Sequence, residues 1–421
     1  MSHHLSRHYS FATTTRGILK TLVRIPLMFV VSMACGFNPS AAPGFQASLT
    51  NDAPITILVG TYTNKDSQGV YRLELNLATG QLTQRGLVAK LDQPSFLAGS
   101  PGLPGLFAAV HETSDFSGKP GGGLSLLKFD STTGAAQVVS QSLTQGGAPC
   151  HVAIDSGGGR IAVANYSGGS YSGFRVDRAK DARSPAAAEP ALRLTAGYCF
   201  QNSGSSINRQ RQESSHGHCV RFVPGHEDWI VAADLGTDEV LLFKVSETKA
   251  DVVLEKVRTI QLKPGSGPRQ IDFHPNGKWM YVINELDNTI TQLTFPDAQG
   301  NMQILGSVPT LPADFQGSNG TAQVQVHPNG RFVYGSNRGH NSIAMFSVAS
   351  DTGALTPLGH QAAGIKTPRH FLVEPSGKYL LVANQDADSV VVFPIDAETG
   401  ILGPSQFQAY VPTPVCLLPI Q

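Results

Sequence analysis

The chain has 421 residues, 31 acidic and 31 basic side chains, and only 15% charged residues. That balance carries none of the basic excess a nucleic-acid partner would require. The 44 glycines and 27 prolines call for many turns rather than long helices. Length alone would allow two or three average domains, but internal repeats bind residues 51–421 into one.

Residues 1–50 contain no Asp or Glu. Arg7, Arg16, Lys20 and Arg24 precede an apolar stretch over 25–34, and small residues follow around Cys35 and over 40–42. Positive region, apolar region and small-residue cleavage site is the order of a secretory signal, and the apolar stretch is too short to span a bilayer. Export to the periplasm or the medium is the expectation, with an organelle transit peptide as the alternative. A lipid anchor at Cys35 is a minor option.

The first strands, over 55–62 and 68–75, alternate apolar and polar residues but lack the opening strand of the later units. Residues 267–295, GPRQIDFHPNGKWMYVINELDNTITQLTF, give the complete pattern: an alternating run, a Pro-Asn-Gly turn, an apolar run, a polar corner and a third run. Period-2 runs between Gly, Pro and Asn turns predict short antiparallel strands. Units of this kind recur over 94–112, 149–174, 217–243, 321–346 and 368–393. His151, Gln270, Gln323 and His370 share a column, each fourteen residues before Asn165, Asn284, Asn337 and Asn384. Six units at a period of roughly fifty residues fit propeller blades. The missing opening strand of the first blade lies at the other end, in PTPVCLLP over 412–419. The expectation is an all-β, seven-bladed β-propeller whose C-terminal strand joins the N-terminal blade, which removes open sheet edges.

In such a ring the starts of first strands and the ends of second strands meet at one mouth. The first group supplies His151, His218, Arg269, Arg369 and His370, and the second Glu112, Asp234, Glu285 and Arg338. Convergence of ionisable groups from separate blades marks a candidate site. Between Phe174 and His216 the chain is longer than in other blades, and its end, Arg211-Gln212-Glu213-Ser214-Ser215-His216, is expected to line the same mouth. Asn165, Asn284, Asn337 and Asn384 read as blade corners. Cys150, Cys199, Cys219 and Cys416 read as small apolar residues, with bridges as the alternative. His216 and His218 lack a third ligand at a telling spacing, so no metal is called for.

The motifs VGTYT (59–63), ANYSGGS (164–170), RQESSHGH (211–218), ADLGTDEV (233–240), GPR with HPNG (267–277), INELDNT (283–289), SNRGHNSI (336–343), TPRHF (367–371) and ANQDADSV (383–390) together resemble the seven-bladed-propeller lactonases. That family includes the 6-phosphogluconolactonases and is related to the fungal carboxymuconate cyclases. The resemblance implies a phosphorylated aldonolactone as substrate class, or a carboxylated muconolactone in the cyclase relatives. Ring opening needs a base, an aimed water and donors for an oxyanion. Glu213, His151 or His218 is the candidate base, while Arg211 and Arg269 hold the oxyanion and an anionic group. Glu112, His216, Asp234, Glu285, Arg338 and Arg369 are expected to bind substrate. No Gly-x-Ser-x-Gly elbow, cofactor or membrane span is called for, and a monomer is expected. The rival reading is an exported propeller that binds a small ligand or a protein without turnover.

Overall fold

Seven four-stranded antiparallel sheets, each a simple meander, make up the architecture. The computed structural model describes residues 54–179, 191–248 and 251–420, all within the compact unit Gln46–Gln421. The expected leader over 1–50 and Cys35 lie outside the described residues. Blades 1 to 6 occupy 97–143, 149–201, 217–261, 268–309, 321–361 and 368–410. Blade 7 combines Pro414–Ile420 with Ile55–Thr61, Gly69–Leu75 and Leu82–Lys90. The C-terminal strand is thus its innermost, paired from Thr56↔Ile420 to Gly60↔Cys416. Among the described residues no helix is long and apolar enough to cross a membrane.

Burial grades outward from the axis. In blade 4, Pro268–Phe273 and Trp279–Asn284 are buried along their whole length, whereas the outermost strand, Ile304–Pro309, is largely exposed. Strands enclosed on both faces need continuous apolar runs, which is why Trp279-Met280-Tyr281-Val282-Ile283 shows no polar alternation. The cores lie between blades: Val231, Ala233, Val240 and Leu242 of blade 3 pack on Ile271, Met280 and Val282 of blade 4. Each fully buried side chain of this size contributes about 1.5–3 kcal/mol. The His-Pro-Asn-Gly turn adds a polar latch. His274 accepts from the Asn276 amide on Nδ1 (3.2 Å) and donates through Nε2 to the Gly330 carbonyl (2.8 Å) of the next blade. His327 repeats this with Gly377.

The corner asparagines tie second to third strands. Asn284 Nδ2 donates to Thr289 and Thr291, both at 2.8 Å, and Asn165 Nδ2 to Ser170 and Ser172. Cys150, Cys199, Cys219 and Cys416 are free thiols.

The inner strands open with an irregularity that the alternation does not reveal. Register shifts fall at Pro149/His151, Gly217/Cys219, Pro268/Gln270 and Pro368/His370. The skipped residues are Cys150, His218, Arg269 and Arg369. Such a bulge sets two consecutive residues against one partner and re-aims their side chains. In three of the four pairs both members address the channel, at two levels, whereas Cys219, after His218, packs in the core between blades 3 and 4. Cys150, His218, Arg269 and Arg369 form an upper tier, and His151, Gln270 and His370 a lower one.

Candidate active site at the mouth of the ring

The upper tier borders a cavity of about 230 Å3, completed by Arg211 and by Tyr166, Glu112, Glu285 and Arg338 from the corners. Glu285 is its hub. Its Oε2 accepts from Arg269 Nε (2.9 Å) and Arg338 Nη2 (3.0 Å), and its Oε1 from Arg211 Nη2 (2.7 Å). Burial would raise the Glu285 carboxyl, but the guanidiniums of Arg338, Arg269 and Arg211 outweigh it and hold it well below the carboxylate range. Burial, reinforced by Arg338 and Arg369, brings the Arg269 guanidinium down to about 10. Arg269 also donates to the Ala322 carbonyl at 2.6 Å.

A second cluster faces the first. Arg369 donates to Tyr62 Oη (2.6 Å), which donates to Glu112 Oε2 (2.9 Å). The same guanidinium lies 5.1 Å from the Tyr62 ring centroid. Four guanidiniums against two carboxylates leave an excess of two positive charges around one cavity. Such a site favours an anion, and guanidiniums grip carboxylate or phosphate through paired donors.

His218 enters this cavity from the head of blade 3, edge-on to Tyr166 at 5.6 Å. Burial, then Arg269, pushes its pKa well below the ordinary histidine value, so the imidazole is neutral. At the rim, Glu213 Oε1 lies 3.0 Å from His216 Nε2, and the Glu213 side chain is 55% exposed. The His216 ring stacks on Tyr166 at 4.5 Å, and Arg211 Nη2 reaches Tyr166 Oη at 3.3 Å. The segment 202–216 is held down by Gln212 Nε2 on Asp238 Oδ1 (2.7 Å) and on the Leu235 carbonyl (2.9 Å).

The mouth thus gathers Arg211, His218, Arg269, Glu112, Glu285, Arg338 and Arg369, with Glu213 and His216 at its rim. Three residues fall elsewhere, His370 among them, in the lower tier with His151. His151 belongs to the lower tier because of the bulge at its strand head. Its ring packs on Phe96 at 4.1 Å and lines the other half of the channel. Asp234 is at the corner column itself, where other blades carry Asn, rather than one residue beyond it. It is fully buried and accepts from the His216 amide (2.9 Å), Asn202 Nδ2 (2.9 Å), Gly236 N and Ser215. Its role here is to fix the loop that carries Arg211. Tyr166 and Cys150, which line the cavity, and Tyr62, which bridges Arg369 and Glu112 behind it, were not selected by the sequence reading. The signal for both tyrosines was available: each follows its blade's corner residue, as Glu112, Glu285 and Arg338 do.

A closed seven-bladed ring with four arginines around its axial mouth is a β-propeller with a cationic pocket. The Lactonase, 7-bladed beta-propeller family model matches residues 56–419, and the chain belongs to that family. It is 32% identical over 314 residues to a 6-phosphogluconolactonase of Bacillus subtilis, covering 75% of this chain and 83% of that protein. It is 33% identical over 321 residues to a 6-phosphogluconolactonase of Formosa agariphila, covering 75% of this chain and 86% of that one. Among solved structures, the periplasmic gluconolactonase of Pseudomonas aeruginosa superposes with a TM-score of 0.78 at 27% identity, covering 88% of this chain and 99% of that one.

Proposed function

We propose that the protein is a lactonase that opens a sugar lactone of the 6-phosphogluconolactone type to the aldonate in the mouth cavity. The observation that carries this reading is the excess of two positive charges around a cavity that also holds a neutral imidazole. Arg211, Arg338 and Arg369 grip the anionic group of the substrate, and Arg269 faces the lactone carbonyl. His218 takes a proton from water as its oxygen adds to that carbonyl, giving a tetrahedral oxyanion beside a guanidinium. Collapse breaks the ring C–O bond, and the imidazolium returns the proton to the departing ring oxygen. Glu285 is a poor base, because three guanidiniums stabilise its anionic form.

A second assignment of the base is favoured by one observation: the Glu213 carboxylate at the rim pairs with His216 and remains accessible. Turnover of phosphorylated and plain gluconolactone, each measured above the spontaneous rate, tests the function. Faster turnover of the phosphorylated lactone supports the reading; no turnover of either leaves the rival, a ligand-binding propeller. Export belongs to the same proposal. It is supported by the acid-free residues 1–50 and by the likeness to a periplasmic gluconolactonase. An intact residue 1 in the cytoplasmic fraction, found by mass spectrometry, would sink it.

A further inference from the structure

The lower half of the axial channel holds a second cavity that the mouth chemistry does not use. It measures about 310 Å3, within the size range of small-molecule sites. Between the two lies a void of about 10 Å3, room for one water molecule. The void borders Ser95 and Gln323, whose Oγ and Oε1 are buried without a protein partner. It has room for a water molecule but not for a ring-sized ligand.

The chemistry of the lower cavity differs from that of the mouth. Its polar wall is the lower tier, His151, Gln270, Gln323 and His370, each from a different blade. Arg221 and Asp272 also line it and neutralise one another at 3.1 Å. Burial first, then neighbouring guanidiniums, keeps both imidazoles uncharged, His370 at about 3 and His151 well below its ordinary value. Gln270 is 3% exposed and Gln323 8%. The Gln270 amide and the Gln323 carbonyl oxygen have no protein partner among the described residues. The Gln323 oxygen borders the one-water void, while the Gln270 amide, which lines the cavity without a protein partner, is free to bond a molecule there. Apolar side chains, Phe96, Leu372 and Leu418, line the cavity between these polar groups, and the Phe96 ring packs on both imidazoles, 4.1 Å from His151 and 5.7 Å from His370.

Uncharged donors and acceptors interleaved with aromatic and aliphatic surface complement a ring that carries both hydroxyls and C–H bonds. An anion would find no uncompensated cation there. We propose that this cavity is a second ligand site, for a neutral cyclic polyol such as an unphosphorylated hexose, separate from the arginine mouth. The inference stands independently of the lactonase reading.

Calorimetric titration of the full chain with D-glucose, D-galactose and myo-inositol tests it. At least one of the three binds with one-to-one stoichiometry, and saturating inorganic phosphate does not displace it. Ala153→Phe and Ala98→Phe fill the cavity from two blades and weaken polyol binding by about tenfold or more, while lactone turnover is retained. Arg338→Ala, at the mouth, leaves polyol binding unchanged. Failure of all three polyols to bind overturns the proposal. So does displacement by phosphate, or binding that survives both fillings and is lost in Arg338→Ala, since the polyol would then occupy the mouth. Phosphate competition on the unaltered protein decides the matter even where a filled variant fails to fold.

Discussion

At the scale of single residues, Glu285 holds three guanidiniums within one buried pocket. Glu285→Gln keeps the shape and removes the charge, so the arginines are left to repel one another. Breaking a buried ion pair costs about 3–5 kcal/mol; urea unfolding is expected to show a loss of that order, with inorganic phosphate restoring part of it. A variant as stable as the parent would mean the cluster is more solvated than its burial indicates. His218 leads to a kinetic expectation. Because burial keeps the imidazole neutral well below the ordinary histidine range, kcat/KM stays flat as pH falls from about 8 to about 6, where an unperturbed histidine near 6.5 would begin to protonate. His218→Gln lowers kcat by about 100- to 10,000-fold with a smaller effect on KM. If Glu213→Gln shows that loss and His218→Gln does not, the base is Glu213.

How much of this site was legible follows from the same residues. Arg269, Arg338 and Glu285 are legible because strand heads and corners can be counted from the Pro-Asn-Gly turns, and Arg211 because it ends the long connection after Phe174. The two tiers are not, because a bulge adds one residue without altering the apolar pattern around it. His151 was accordingly set one level too high. Asp234 was taken for a mouth residue because it is acidic, although its column is that of Asn165, Asn284 and Asn337. Tyr62 and Tyr166 were passed over because aromatic residues carry no charge to attract notice.

At the scale of elements, the segment 202–216 brings Arg211 to the mouth, and its seat on blade 3 is tight. A Cβ at Gly236 would stand 1.8 Å from the Ser214 carbonyl oxygen and 2.8 Å from the His216 amide, distances at which backbone has to move. Gly236→Ala is therefore expected to shift the loop, with kcat/KM falling by about tenfold or more, as small misplacements do. The melting temperature should change far less, because the blade cores are untouched. A variant with full activity and reduced melting temperature would show that the loop's position is irrelevant to turnover. The strands were the most readable elements, since each unit repeats the same alternation. The length of the chain after Phe174 drew attention to the loop, but much of that length extends the outer hairpin of blade 2, Ser170–Ala179 and Ala191–Gln201.

At the scale of the whole molecule, three histidines of the channel couple stability to pH. His151, His218 and His370 all have folded-state values below their ordinary one, mainly through burial. Their contribution is complete above about pH 6.5 and is lost as pH falls toward the folded values. In that window the unfolded chain binds protons that the native one refuses. Each adds up to about 1.4 kcal/mol per pH unit to the slope. Urea unfolding between about pH 7 and about pH 5 should show this slope, and His370→Asn should reduce it by one histidine's share. Ring closure makes a second demand. Removing residues 410–421 deletes the strand that covers Ile57 and Val59 and packs Leu417 into their cluster. Aggregation or loss of a cooperative melt is expected. A truncated chain that melts like the parent would contradict the role given to the closing strand.

That closing strand also orders events in time. Pro414–Ile420 is made after every other strand of the ring, yet Ile55–Thr61, the first strand made, waits for it as a partner. Until it emerges, six blades can have all their strands and the seventh lacks its innermost one. This contact is the most non-local that the fold contains, and non-local pairings form late. The blade that is begun first is therefore the one completed last.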